Sequence, residues 1–269
     1  MHPRVSLHQV AFLDEPTEAF LDHCRRIGVE NVSLISSSLA RSGEYDVARS
    51  AVDGGGPRVS ALNHPFAVYP DLAQDTGSAV ENLVAAIDLA DGLGAPLVYL
   101  ITGGRGTLNW EQAAGRFADL ISQCAGHAAA RGVALLVENA SAFNADIHFV
   151  HTLADAITVA EVADVGLCIE LHACWCEGGL AALLDKALPR TRLIQVSDYV
   201  LGDRSAPCRA VPGDGAIPLQ DILAQLISAG YAGVFDVELV GPRIMAEGAR
   251  EATERGARHL SNLLTRLGA

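Results

Sequence analysis

Two periods of hydrophobic and polar positions take turns along this chain. Short runs of β-branched and aliphatic residues read as strands, and each gives way to a stretch with apolar residues at helical spacing. Val5 to Ala11 is the first strand, followed by a helix that starts at Asp14-Glu15-Pro16 and runs to Ile27 before Gly28. Asn31 to Ile35 is the second strand, and a helix from Glu44 to Val52 ends at Gly54-Gly55-Gly56. Val59 to Leu62 leads into the loop Asn63-His64-Pro65-Phe66, and a helix then carries Val80, Leu83, Val84 and Ile87 on one face. Pro96 to Ile101 is the fourth strand. The loop Gly103-Gly104-Arg105-Gly106 follows, and Asn109 to Gln112 has the form of a capping box opening a helix to Arg131.

Leu135 to Glu138 is the fifth strand, with a helix from Ile147 to Ala163 behind it. The sixth strand begins at Val165, in VGLCIELHACWCEGG, and a short helix from Leu180 to Ala187 follows. Leu193 to Val196 is the seventh strand, and a long Gly- and Pro-rich loop spans Tyr199 to Ile217. A helix from Leu219 to Gly230, an eighth strand from Val234 to Leu239 and a last helix from Met245 to Leu267 complete the chain. Strand and helix thus alternate eight times without a linker or a break in composition. Such alternation implies a parallel sheet, and eight units over 269 residues favour one closed (β/α)8 TIM barrel, an α/β fold of a single domain spanning 1–269. An open doubly wound sheet usually has a Gly-rich turn after its first strand, and Ala11-Phe12-Leu13-Asp14 offers none.

Composition narrows the partners. Half the residues are hydrophobic and 19% are charged, enough for a large core. The formal net charge is -13 and no basic run is present, which argues against nucleic acid and against an anionic membrane surface. The start of the chain lacks a signal-peptide core and no apolar run reaches membrane-spanning length, so a cytoplasmic protein is expected. The six cysteines show no paired CxxC spacing and read as reduced thiols; Cys174-x-Cys176 is a weak metal hint.

In a (β/α)8 barrel the chemistry gathers at the C-terminal ends of the strands. Those ends carry His64, Thr102, Glu138, Glu170, Gln195, Asp198 and Glu238. Glu138, Glu170 and Glu238 each close an apolar run: LLVE, GLCIE and VFDVE. One such glutamate could simply cap the next helix. Three on neighbouring strand ends repel one another unless a cation lies between them, and carboxylate oxygens suit Mg2+ or Mn2+ better than zinc. Strand side chains alternate, so Gly166, Cys168, Glu170 and His172 share one face of the sixth strand. Asp236 has the parity of Glu238 and is expected one layer deeper, hydrogen-bonding strand-end groups and orienting them. Trp175 either stacks on a ligand ring or covers the barrel rim, and the glycine loop at 103–106 either cradles a phosphate or is only a turn.

The motifs LLVENA, GLCIELH, LIQVSDY, CRAVPGDGAIPL and FDVELVGPR resemble the xylose-isomerase-like barrels of sugar (phosphate) isomerases, epimerases and related dehydratases. The resemblance covers most of the chain and is strongest from Val133 onward. It implies one divalent metal held by Glu138, Glu170, the residue at 195 and Glu238, with Glu138 and Glu238 also acting as the acid/base pair on a polyhydroxy-ketone through an enediolate. It further implies His64 and Arg209 as substrate contacts, with Arg209 tied instead to Asp214 or Asp203 as the alternative. His172 is the imidazole nearest the strand-six acid. Relatives also imply a homodimer through barrel-top loops. Two departures stand out: the family's strand-seven histidine is here Gln195, three residues before Asp198, and the histidine expected three residues after Glu170 is Ala173. The expected activity is a metal-dependent isomerase or epimerase. A dehydratase of an inosose-like or dehydroshikimate-like ketone shares the first half of that mechanism. A metal-free binding protein and an endonuclease are further alternatives, the latter opposed by the acidic charge and scarce strand-end histidines.

Overall fold

A computed structural model describes residues 1–269. Its strands are β1 (Val5–His8), β2 (Asn31–Ile35), β3 (Arg58–Pro65), β4 (Leu97–Ile101), β5 (Ala134–Glu138), β6 (Gly166–Glu170), β7 (Thr191–Val196) and β8 (Phe235–Val237). All pair in parallel, in chain order, and β8 closes on β1. The expected (β/α)8 barrel is therefore formed.

Alternation sorts each strand into two faces. Leu7, Leu34, Leu62, Val98, Leu100, Val137, Leu167, Ile169, Ile194 and Val196 point outward and belong to the core shared with the helices. Ala61, Tyr99, Leu136, Cys168 and Leu193 point inward and fill the barrel centre. The residue two places further along each strand stands one layer higher: His8, Ile35, Asn63, Ile101, Glu138, Glu170, Gln195 and Glu238. This upper layer is where apolar filling gives way to polar groups.

Helix ends follow local chemistry. Gly28 closes the helix Thr17–Ile27 in the left-handed region at φ 74°, which a residue without Cβ adopts at no steric cost. The Asn109–Gln112 capping box forms both of its bonds.

Several boundaries depart from the sequence reading. The first strand stops at His8, where the chain winds into a 3-10 turn, Gln9–Phe12. β3 runs on through Pro65, so Asn63 and His64 are strand residues rather than loop residues. The helix behind β5 begins at Leu153, not Ile147. The last helix is two, Pro242–Glu247 and Ala249–Leu267, parted at Gly248 with φ 98°. No helix is long and apolar enough to cross a membrane.

Candidate active site

The upper layer opens into a cavity of about 380 Å³ at the C-terminal end of the barrel. Its polar lining includes His8, Asn63, Glu138, His148, Glu170, His172, Arg209 and Glu238, and its walls include Leu13, Ile35, Ile101, Ile147 and Val240. Glu138, Glu170 and Glu238 are brought together, each at most 8% exposed. Gln195 is fully buried beside them, opposite Glu170 on β6 and Asp236 on β8.

Asn139 fixes the end of β6. Its side-chain amide donates to the Glu170 carbonyl and its oxygen accepts from the Glu170 N–H, both at 3.0 Å. The two bonds tie β5 to β6 just where the acid leaves the strand. Glu170 also accepts from the His172 N–H at 3.0 Å, capping the turn Leu171–Cys174.

Arg209 comes from the loop after β7 and points into the barrel mouth. Its Nη1 lies 2.7 Å from Glu170 Oε1 and its Nη2 lies 2.9 Å from Glu238 Oε2. The alternative ties to Asp203 and Asp214 are not made: Arg255 pairs with Asp214 and Arg243 with Asp203. Burial works against the charge of Arg209, yet Glu170, Glu238 and Glu138 outweigh it and raise its pKa. The guanidinium is a permanent cation.

The carboxyls differ in their surroundings. Burial pushes Glu138 well above its ordinary pKa, and the charges of Glu238 and Glu170 push the same way. No arginine pairs with it directly; its nearest cation-forming neighbour is His148, Nε2 to Oε2 3.7 Å, and burial drives that imidazole down to about 3. Burial also raises Glu238; Arg209 opposes the rise at both carboxyls, but only Glu238 is in direct contact with it. Two carboxyls facing one cavity are thus unequal: both are raised, Glu138 more strongly than Glu238.

Other expected residues fall elsewhere. His64 lies on the outward face of β3, its Nδ1 2.9 Å from the Ser36 hydroxyl, and does not line the cavity; Asn63 does. Trp175 is carried off by the turn after β6 and packs against Tyr199, ring centroids 6.2 Å apart, also outside the cavity. His172 does line it, but from that turn rather than from the strand face, with Nδ1 4.0 Å from Glu170. Asp236 is fully buried and inward as its parity requires, but neither carboxyl oxygen has a hydrogen-bond partner, so the expected bonds to strand-end groups are absent. Burial raises its pKa, with His8 the chief opposing influence. Asp198 faces the loop instead of the cavity and accepts four backbone N–H bonds, from Tyr199, Gly213, Gly215 and Ile217. Gly103 and Gly104 are not a phosphate cradle. A Cβ on either would overlap a carbonyl, of Ala67 or of Asp146, so they serve close packing.

Two histidines that the sequence reading leaves as structural or exposed, His8 and His148, line the cavity. His8 accepts or donates at 2.6 Å with the Tyr99 hydroxyl, which in turn accepts from Gln195 Nε2 at 3.2 Å. Reading the end of the first strand like the others reaches it. His148 sits in an irregular segment and no periodicity marks it.

As these side chains stand, they do not fit the expected Mn2+ or Mg2+ centre. Such an ion draws several oxygens to about 2.0–2.2 Å, and carboxylates carry most of its binding. Here a guanidinium already stands between Glu170 and Glu238, which leaves the buried, unpartnered amide oxygen of Gln195 as the one unpaired neutral ligand atom of the set. No three or more His, Cys, Asp or Glu side chains are grouped to hold one ion.

The model of the xylose isomerase-like TIM barrel family matches residues 4–263. Among solved structures, the protein SMc04130 from Sinorhizobium meliloti 1021 is similar at TM-score 0.85 and 23% identity, over 97% of this chain and 98% of that one. The IolI protein with a bound zinc atom is similar at TM-score 0.82 and 17% identity, over 98% and 99%. D-Psicose 3-epimerase from Clostridium cellulolyticum H10, solved with D-tagatose, is similar at 0.74 and 14%, over 98% of each chain. No curated protein matches the sequence.

Proposed function

The chain belongs to the xylose isomerase-like TIM barrel family, and within it we propose an isomerase or epimerase that moves a proton at the carbon beside the carbonyl of a small polyhydroxy ketone. The observation that carries this reading is the inequality of Glu138 and Glu238: both face one cavity, but only Glu238 is paired with Arg209. A carboxyl that keeps its proton more firmly and one whose charge is braced by a cation then face the same cavity, which suits an acid and a base.

Glu238, as carboxylate, takes the α-proton. The electron pair of the broken C–H bond moves into the C–C bond and on to the carbonyl oxygen, giving an enediolate. Arg209 faces that growing negative charge with N–H donors already in place, which costs no rearrangement during the reaction. In epimerisation Glu138, as acid, returns a proton to the opposite face of the same carbon. In 1,2-isomerisation the proton goes back to the neighbouring carbon. The apolar walls from Leu13, Ile101, Ile147 and Val240 limit water near the intermediate. D-Psicose 3-epimerase, a fold relative, supports the sugar-like substrate class. No step is drawn through the Mn2+ or Mg2+ expected from the resemblance, because Arg209 stands between two of its four ligands.

The test is incubation of the protein with ketoses and cyclic polyol ketones in D2O, followed by proton NMR. Deuterium appearing at the α-carbon without loss of water marks the isomerase or epimerase. Loss of water marks the dehydratase, and exchange with no substrate sinks the proton-transfer reading.

A further inference from the structure

Four inward positions, Glu138, Glu170, Gln195 and Glu238, surround the mouth of the barrel, and a guanidinium from another segment stands among them. Arg209 touches Glu170 at 2.7 Å and Glu238 at 2.9 Å, with the Ser197 hydroxyl 3.5 Å from Nη1. Its side chain is only 14% exposed, so protein rather than water surrounds the charge. A buried arginine needs anionic partners and a buried carboxylate needs a cation, and the charges meet here as ion pairs, with Arg209 Nε and Glu238 Oε2 left without a hydrogen bond.

A divalent ion and this guanidinium exclude one another. An ion close enough to bond Glu170 and Glu238 would lie where the Nη atoms now lie, and two positive groups at that separation repel strongly in a low-dielectric site. The backbone that carries Arg209 is anchored beside the site. Ala210, the next residue, exchanges two backbone hydrogen bonds with Asp198 at 2.8 Å. The neutral residue of the set is a weak ligand: Gln195 brings a neutral amide oxygen where an imidazole would bind most transition metals better.

We propose that Arg209 is the built-in cation of this site, taking the place of a divalent metal by bracing Glu170 against Glu238 and offering its N–H groups to the substrate oxyanion. Its bracing of the two carboxyls is independent of the reaction; its action on an oxyanion rests on the proton-transfer reading.

Metal content decides the matter on the unaltered protein. Cells are grown with added manganese, the protein is purified, and elemental analysis is paired with thermal unfolding with and without millimolar MnCl2. The expected result is far less than one equivalent of any divalent metal and no Mn2+-dependent rise in Tm. About one equivalent of metal, or a Mn2+-dependent Tm rise, either of them lost in Glu238→Gln, overturns the proposal. Arg209→Ala is expected to lower Tm by roughly 6–20 °C, as for a buried pair stripped of one partner in a chain of this size. An Arg209→Ala protein that melts with the wild type also overturns it, since the guanidinium would then brace nothing. None of these readings uses a substrate. A metal-loaded wild type that exchanges deuterium therefore defeats this inference alone, and a metal-free wild type that exchanges nothing defeats only the proposed reaction.

Discussion

Asp198 and Ala210 face each other across the loop after β7 and exchange N–H and carbonyl in both directions at 2.8 Å. This short antiparallel bridge holds a segment that is otherwise irregular. The carboxyl of Asp198 adds four more bonds to the same loop, at 2.8–3.0 Å, and it is only 1% exposed. One strand-end aspartate therefore sets where Arg209 stands.

Asp198→Ala leaves those four N–H groups without partners, the one at Ile217 buried and the others partly so. Each orphaned donor costs on the order of 1–3 kcal/mol, and relaxation recovers part of it, so a net loss of about 3 kcal/mol is expected. Urea unfolding measures the loss. Limited proteolysis, with new cleavage between 199 and 217, shows that it originates in the loop.

Glu138→Gln and Glu238→Gln separate the two acid/base roles. Each is expected to lower kcat by roughly 10²–10⁴ with little change in KM. In a single-turnover experiment in D2O, Glu138→Gln keeps the first C–H cleavage and loses the return of a proton to the opposite face. Glu238→Gln loses cleavage itself. If both variants cleave at the wild-type rate, the assignment fails.

His64 gives a prediction about acid stability. Burial lowers its pKa from 6.5 to about 4, so the native state refuses a proton that the unfolded chain accepts. The stabilisation from this group is complete above pH 6.5 and is lost as pH falls from there to about 4. The slope is about 1.4 kcal/mol per pH unit inside that window. Denaturant titrations of His64→Gln at several pH values should show a stability profile flatter than the wild type's by that amount. A parallel profile would mean that the imidazole titrates normally.

Trp175 and His172 should part company. The indole packs on Tyr199 outside the cavity, whereas the imidazole lines it. Trp175→Ala is expected to change kcat/KM by less than about threefold, and His172→Ala by more than about tenfold, mainly through KM. Steady-state kinetics on one accepted substrate compares them.

The barrel was readable because its outward faces are apolar and its strands are evenly spaced. Glu138, Glu170 and Glu238 were readable for a related reason: each interrupts an apolar run at the place where strands meet the cavity. His64 and His172 show where that reading fails. β3 continues three residues past Leu62, so His64 turns outward and Asn63 inward. β6 ends at Glu170, so the two-residue period no longer applies to His172. Parity is informative only while the strand lasts, so an error in where the strand ends misplaces the residues just beyond it. The approach of Arg209 to Glu170 and Glu238 lay beyond any periodicity. It depends on a loop folded by Asp198 from residues as distant as Gly213 and Ile217.

The upper layer draws one side chain from each of eight separate strands, above a filled layer that closes the barrel centre. Chemistry and foundation are thus stacked, and a substitution above need not disturb the packing below. Gln195 is such a substitution when set beside the family pattern: one polar group exchanged while Leu193 beneath it stays fully buried. A scaffold arranged in this way can change its reaction in single-residue steps, provided that each new side chain keeps the bonds its neighbours need, as Gln195 does with Tyr99.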